Sequence, residues 1–267
     1  MAAIHILVTM ADLADAFPIT RPRACGDCAD GIAPPFEFTM AFQPIVDLRL
    51  RQIYAYEALV RGPANQSAFS VLSQVTPLNR YAFDQSCRVK AIELASRLGI
   101  IESGAKLSIN FIPGAMYRPE NCVRATLAAA KRHHLPNDRI VLELTENEKI
   151  VDVPLLEQIF DVYRRNDLRI AIDDFGAGFS GLNLLARFQP DTLKIDMDIV
   201  RGLDVDARRR CIVTNIVRMA GELGINLVAE GAETTAEVTT LRDLGVYRIQ
   251  GYYFAKPSFE ALPSVAL

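Results

Sequence analysis

The sequence predicts an α/β fold: a TIM-type (β/α)8 barrel modified by an antiparallel first pair of strands. Three observations point there. Short apolar runs alternate with longer amphipathic ones through residues 39–260, the rhythm of strand–helix units. The short runs number eight, which is the count that closes such a barrel. One connection is too short for the regular version, since only Asp47 to Gln52 separate the first two runs. A parallel crossover needs a dozen residues or more, whereas an antiparallel hairpin needs few.

In chain order, residues 1–38 read as an irregular leader, because Pro18, Pro22, Pro34 and Pro35 with Gly26 and Gly31 interrupt any long element. Cys25 and Cys28 lie in it at CxxC spacing. That is half of a zinc site, and with only His5 nearby the two are read as reduced cysteines. Strands are predicted over Ala41–Val46, Ile53–Leu59, Lys106–Asn110, Arg139–Leu144, Leu168–Asp173, Thr192–Ile195, Asn226–Ala229 and Tyr247–Gln250. Helices are predicted over Arg80–Leu98, Cys122–His133, Leu155–Arg165, Ala207–Leu223 and Thr235–Leu244, where apolar residues recur three and four apart. Gly99, Gly224 and Gly245 stand just past three of these helices, where a left-handed cap is common. No solenoid-type repeat or long linker breaks the pattern. Residues 39–260 therefore read as one domain, with 261–267 as a C-terminal tail.

Bulk composition narrows the function. Of 267 residues half are hydrophobic and 23% charged, with a net charge of −3, which suits a folded protein and gives no general attraction to nucleic-acid polymers or anionic membranes. A phosphate-bearing ligand must then be held locally, by metal or by a few placed cations. No apolar run is long enough to span a bilayer and no basic flank marks a signal peptide, so a cytoplasmic location is expected. Five scattered cysteines suit reduced thiols there.

The informative pattern is where polar residues interrupt the strand ends. Glu57 sits in the second predicted strand, Asn110 ends the third and Glu143 lies near the end of the fourth, with Glu146 just beyond. Asp173 and Asp174 end the fifth, Lys194 and Asp196 lie two apart at the sixth, Glu230 follows the seventh, and Gln250 ends the eighth. Barrel topology superimposes these positions on one face. Any single one reads as a solvated strand-end or cap residue; the six of Glu57, Asn110, Glu143, Asp173, Asp174 and Glu230, recurring at equivalent strand ends, read as a site. Carboxylates so crowded repel one another unless hard divalent cations sit among them. The three histidines lie elsewhere and no nucleophile elbow or phosphate loop occurs, which favours metal-activated water over a nucleophilic side chain.

From Phe42 to Pro257 the chain closely resembles the EAL phosphodiesterase family. The motifs are Phe42-Gln43-Pro44-Ile45-Val46, Glu57-Ala58-Leu59 continuing to Arg61, Ser108-Ile109-Asn110, Glu143-Leu144-Thr145-Glu146, Asp173-Asp174-Phe175-Gly176, Lys194-Ile195-Asp196, Glu230-Gly231-Ala232-Glu233 and Gln250-Gly251-Tyr252. The resemblance implies the EAL fold, hydrolysis of cyclic di-GMP to linear pGpG, and two Mg²⁺ or Mn²⁺ ions activating a water. Glu57, Asn110, Glu143 and Asp173 would hold one ion, and Asp173, Asp174 and Glu230 the other. Lys194 would offset developing negative charge, and Glu230 is read either as ligand or as proton acceptor. Arg61 would pair with a substrate phosphate, while Gln43, Leu59, Asp196 and Gln250 would touch the dinucleotide. Glu146 would steady the loop after Asp174, with a plain helix cap as its rival role. That glycine-bearing loop, 175–180, would gate metal binding and lie near a homodimer interface.

The resemblance has departures. Gly62-Pro63 follows Arg61 where the family often has Trp, and the chain has no Trp; Gly181 and Ala232 stand where Ser and Val are frequent. None removes a ligand, so a silent cyclic di-GMP sensor and a ligand-free interaction module rank behind the hydrolase. No segment names a regulatory partner.

Overall fold

The structure, a computed structural model, describes residues 34–113, 118–145, 153–178 and 181–266. His5, Cys25, Cys28 and Glu146 lie outside the described residues. The chain enters through Phe36 and Phe38, whose rings stack against Phe83 at 5.7 and 5.4 Å between centroids.

Strands β1 (Thr39–Asp47) and β2 (Gln52–Arg61) form the expected antiparallel hairpin, with Gln43 opposite Glu57. Its short turn closes because Asp47 Oδ1 accepts hydrogen bonds from the Arg49 and Leu50 amides. After β2 come the short helix α1 (Ala68–Leu72), then α2 (Arg80–Arg97) and the turn α3 (Ile100–Ser103). From β3 onward strands alternate with helices: β3 (Lys106–Asn110), α4 (Pro119–Arg132), β4 (Ile140–Thr145), α5 (Val153–Arg165), β5 (Arg169–Phe175), α6 (Gly181–Arg187), β6 (Thr192–Ile195). The chain continues through α7 (Met197–Val200), α8 (Ala207–Leu223), β7 (Asn226–Ala229), α9 (Thr235–Asp243) and β8 (Arg248–Gln250).

Strands β2 to β8 pair in parallel in sequence order, and β8 closes the barrel by pairing antiparallel with β1. All eight predicted strands and all five predicted helices are present, with ends moved by at most three residues. Gly99, Gly224 and Gly245 adopt left-handed φ of 91°, 69° and 99°, as their places past helix ends require.

Sequence periodicity does not show α6, seven residues long, or the shorter α1, α3 and α7, because one or two turns hold too few apolar positions to register. A ninth strand, β9 (Ser258–Phe259), adds to β1 opposite Ala41 and Phe42. The residues after it are tied down too: Tyr56 Oη donates to the Pro263 carbonyl at 3.1 Å and Leu262 packs on the core. The main core lies between the barrel's outer surface and the helices, and a small separate cluster of Ile45, Ala55 and Val228 is buried within the β1, β2 and β7 strands. Among the described residues no helix is long and apolar enough to cross a membrane.

Candidate metal centre and active site

Among the described residues the predicted acids lie in the C-terminal half of a parallel strand or just past its end, where loops rather than helices cover the barrel. Parallel register does the alignment. Glu57 lies beside Ser108, Asn110 beside Glu143, and Thr145 beside Asp173. Side chains that point into the barrel therefore converge, and Glu57, Glu143 and Asp173 are all buried.

Lys194 is the hub. Its side chain is 1% exposed, and Nζ lies 2.7 Å from Glu230 Oε1, 2.9 Å from Asp173 Oδ1, 3.1 Å from Glu143 Oε2 and 3.6 Å from Glu57 Oε2. Burial works against the ammonium, but Asp173, Glu143, Glu230 and Glu57 together push its pKa well above the ordinary lysine value. One cation cannot balance this surround. Glu57, Glu143, Asp173, Asp174 and Glu230 are five acids against one Lys194, a formal −4. Burial, followed by the charges of Glu57 and Asp173, raises Glu143 to about 8 against the opposing pull of Lys194. Burial and then Asp173 raise Asp174 to about 8 as well, and the same two causes hold Glu230 well above the usual carboxylate range.

Two consecutive aspartates reach one site only through a backbone irregularity. In a regular strand neighbouring residues point to opposite faces. Here the β5–β6 register shifts between Ile172 and Phe175, and Asp174 takes a left-handed φ of 53°. Asp is among the few non-glycine residues that tolerate this conformation. The bulge brings Asp174 to within 4.8 Å, ligand atom to ligand atom, of Asp173 and Glu230, and Asp173 forms an equally tight group with Glu57 and Glu143.

The donor set suits hard divalent cations. It consists of carboxylate oxygens plus one amide side chain, and two overlapping groups share Asp173. Asp173 Oδ1 has Lys194 beside it but, among the described residues, no hydrogen-bond donor aligned on it, so a buried acceptor is left for a cation. Supporting residues fix the orientation of these ligands. Ser108 donates to Glu143, Asn110 Nδ2 donates to Glu57 Oε1 at 3.1 Å, and Gln250 Nε2 donates to Glu57 Oε2 at 2.7 Å. The Ser108 contact has no counterpart in the sequence reading, though its place two residues before Asn110 on the same strand face was a usable signal.

The residues expected to meet substrate are distributed as follows. Gln43 and Gln250 are buried beside Glu57, and Gln250 Nε2 also reaches Gln43 Oε1 at 3.3 Å; Gln250 Oε1 has no partner among the described residues. Leu59 and Arg61 lie toward the end of β2, and the Arg61 guanidinium donates to the Val60 carbonyl at 2.7 Å and forms no ion pair among the described residues. Burial lowers its pKa, and Tyr252 and Glu57 pull it back up. Asp196 caps α7 by accepting from the Asp198 amide at 2.8 Å, an engagement its place at a strand end did not reveal.

The Gly62 departure has a local cause. A Cβ at Gly62 would stand 2.2 Å from Gln66 Oε1, because Gln66 folds over the turn and accepts from the Ala64 amide. The turn is closed on itself where a larger side chain would otherwise stand.

The EAL domain family matches residues 35–257. Among relatives, the chain is 31% identical over 236 residues to the Escherichia coli K12 blue light- and temperature-regulated antirepressor BluF, covering 88% of this chain and 58% of that protein. It is 28% identical over 235 residues to the probable cyclic di-GMP phosphodiesterase PdeD of the same organism, covering 83% and 42%. The chain thus spans about half the length of these relatives. Among solved structures, a standalone versatile EAL protein from Vibrio cholerae O395 in its c-di-GMP-bound form superposes with a TM-score of 0.83 at 52% identity, covering 87% of this chain and 97% of that one. With a match over nearly the whole barrel, the chain belongs to the EAL-domain family, which includes cyclic di-GMP phosphodiesterases.

Proposed function

We propose that the protein hydrolyses cyclic di-GMP to linear pGpG with the help of two divalent ions, Mg²⁺ or Mn²⁺, using residues 39–260 as its catalytic domain. The observation that carries this reading is the surplus of buried carboxylates around Lys194. Without further cations these acids must stay partly protonated, as the raised Glu143 and Asp174 show, and divalent ions would let them ionise together. The chain's likeness to a c-di-GMP-bound structure at 52% identity supports the choice of substrate.

Glu57, Asn110, Glu143 and Asp173 would hold one ion and Asp173, Asp174 and Glu230 the other. When bound, the ions would supply Lewis acidity, lowering the pKa of a nearby water and neutralising the scissile phosphate. The chain's own groups would do the rest. Water would add to phosphorus as the bond from phosphorus to the 3′-oxygen breaks, the departing oxygen taking a proton from solvent to become the 3′-hydroxyl. Glu230, which lies at the rim of the cluster with its side chain 14% exposed, takes the proton that the water gives up. Lys194, fixed by four carboxylates, offsets negative charge that develops on the phosphate. Arg61, with no carboxylate partner among the described residues, offers its planar fork to a substrate phosphate. Gln43, Leu59, Asp196 and Gln250 would bound the dinucleotide, Gln250 through its Oε1, which has no partner among the described residues.

A homodimer belongs to the same reading. Leu182, 68% exposed on α6 just after the metal-proximal loop, is apolar surface that a second copy would cover.

A second reading follows from the likeness to an antirepressor: a protein that binds the nucleotide and acts on a partner without turnover. The intact acidic cluster and Lys194 favour the hydrolase. The test is incubation with cyclic di-GMP and Mg²⁺ or Mn²⁺, with product followed by chromatography beside Glu57→Ala and EDTA controls. Formation of pGpG that both controls abolish is expected. Saturable nucleotide binding with no turnover would sink the hydrolase and leave the second reading.

A further inference from the structure

We propose that Asp84, held in place by Arg88, is a positioning residue that sets the Asn110 side chain for metal binding; this rests on reading Asn110 as a ligand. Asp84 and Arg88 lie one turn apart on α2 and are each 1% exposed, in a region whose other buried side chains are mostly apolar. Their ion pair measures 2.8 Å. A buried ion pair is weak evidence for stability, because well-packed apolar residues often serve as well or better. Its hydrogen bonds suggest a different task.

Beyond Asn110 the chain leaves β3 and loses its strand partners, yet it stays buried through Phe111 and Ile112. A buried backbone amide needs an acceptor. Phe111 N–H donates to the carbonyl of Glu143, the neighbouring acid, at 3.1 Å. Ile112 N–H donates to Asp84 Oδ1 at 2.9 Å. Those two bonds fix the backbone on the C-terminal side of Asn110, and strand pairing fixes the other side.

The carboxylate in turn needs an anchor, which Arg88 supplies. Arg88 Nη2 binds Asp84 Oδ2, while Nη1 donates to Thr126 Oγ1 at 2.9 Å and to the Cys122 carbonyl at 3.3 Å, both on α4. The Phe111 ring meets the fully buried Tyr163 of α5 edge-on at 5.5 Å. Helices α2 and α4 therefore converge on one amide next to the metal centre, and the placement of Asn110 follows theirs.

Two charge-neutral double variants separate this role from a plain structural one. Asp84→Asn/Arg88→Gln keeps an oxygen acceptor for the Ile112 amide and a chain of amide partners to Thr126. Asp84→Leu/Arg88→Met fills similar volume but removes the acceptor. Calorimetry with Mn²⁺ and the side-chain amide resonance of Asn110 in the metal-free protein, assigned by its loss in Asn110→Ala, are the readouts. The Leu/Met variant is expected to bind Mn²⁺ about 10–100-fold more weakly and to shift the Asn110 resonance. The Asn/Gln variant should stay within about threefold of the unaltered protein on the same scale of supporting-residue effects. Equal affinities and unmoved resonances in both would overturn the proposal. Should the Leu/Met variant not fold, Thr126→Val tests the same chain of contacts. It is expected to weaken Mn²⁺ binding about threefold, the size of one lost hydrogen bond, and no change in affinity or resonance would again overturn the idea. If the unaltered protein binds no Mn²⁺, the metal reading fails, and the positioning role is then decided by the Asn110 resonance alone.

Discussion

The two ends of the barrel use the same residue types to opposite effect. At the N-terminal end of the strands the cations each have a near partner, an acid, a carbonyl or an aromatic ring. Arg248 Nε lies 3.2 Å from Asp47 Oδ2, Arg248 Nη1 donates to Asn226 Oδ1 at 2.7 Å, and its guanidinium stacks 4.2 Å above the Tyr54 ring. Lys106 covers the same ring at 5.1 Å, and Arg169 pairs with Asp191 at 3.0 Å. At the C-terminal end five carboxylates share one lysine. These direct partners make the first end self-sufficient. The surplus at the second end is a cost in the metal-free fold and becomes an asset once cations arrive, so the imbalance, and not the mere presence of charge, marks the functional end.

The sharpest way to break this contrast is to remove the hub. Lys194→Met should lower turnover by about 10²–10³-fold, the size of losing one preorganised electrostatic group. It should also destabilise the metal-free protein by about 3–5 kcal/mol, since buried carboxylates lose their partner, and Mn²⁺ should restore much of that. Steady-state kinetics and melting curves with and without Mn²⁺ check both. Turnover within threefold of the unaltered protein would contradict Lys194's catalytic role, and an unchanged metal-free melting temperature its role as hub.

A pH titration comes next in size. Glu143 and Asp174, held at about 8 by burial first and neighbouring acids second, keep protons in the metal-free fold that the unfolded chain releases near 4. A raised acid pKa contributes stability that is fully present below the unfolded value and is lost as pH rises through the folded one. The melting temperature of the metal-free protein should therefore fall as pH climbs from about 5 to about 8. With excess Mn²⁺ the trend should flatten or reverse, because binding needs the deprotonated ligands. Parallel pH profiles with and without Mn²⁺ would show that the crowded acids do not hold metal.

How much of this contrast the sequence already displays depends on the range of the interactions involved. The strand-end positions of Glu57, Asn110, Glu143 and Asp173 are visible because alternation along a strand and the order of parallel strands follow from local pattern. The bulge that turns Asp174 inward is not visible, since a register shift belongs to the β5–β6 pair and not to either segment. The hold of Asp84 on the Ile112 amide is hidden for the same reason: two residues 28 apart meet only after α2 packs against the barrel. At Gly62 the sequence shows a missing side chain but not that Gln66 occupies its space. Asp196 is placed at the right strand end, yet its capping of α7 depends on a one-turn helix too short to leave a pattern.

The smallest expected effect tests the other end. Arg248→Met removes a guanidinium whose side chain is 24% exposed, and solvent already screens part of its attraction to Asp47. Asp47 keeps the Arg49 and Leu50 amides as donors, so its carboxylate is not orphaned. Methionine retains the apolar stem above Tyr54 while giving up the charge. The loss should be about 1 kcal/mol, which in a domain of this size lowers the melting temperature by about 2–4 °C. Turnover and Mn²⁺ affinity should not move, because among the described residues no bond of this cluster reaches the carboxylates around Lys194. A threefold or larger fall in turnover, with melting changed no more than predicted, would mean that the two ends are energetically coupled through β8, whose far end carries Gln250 against Glu57.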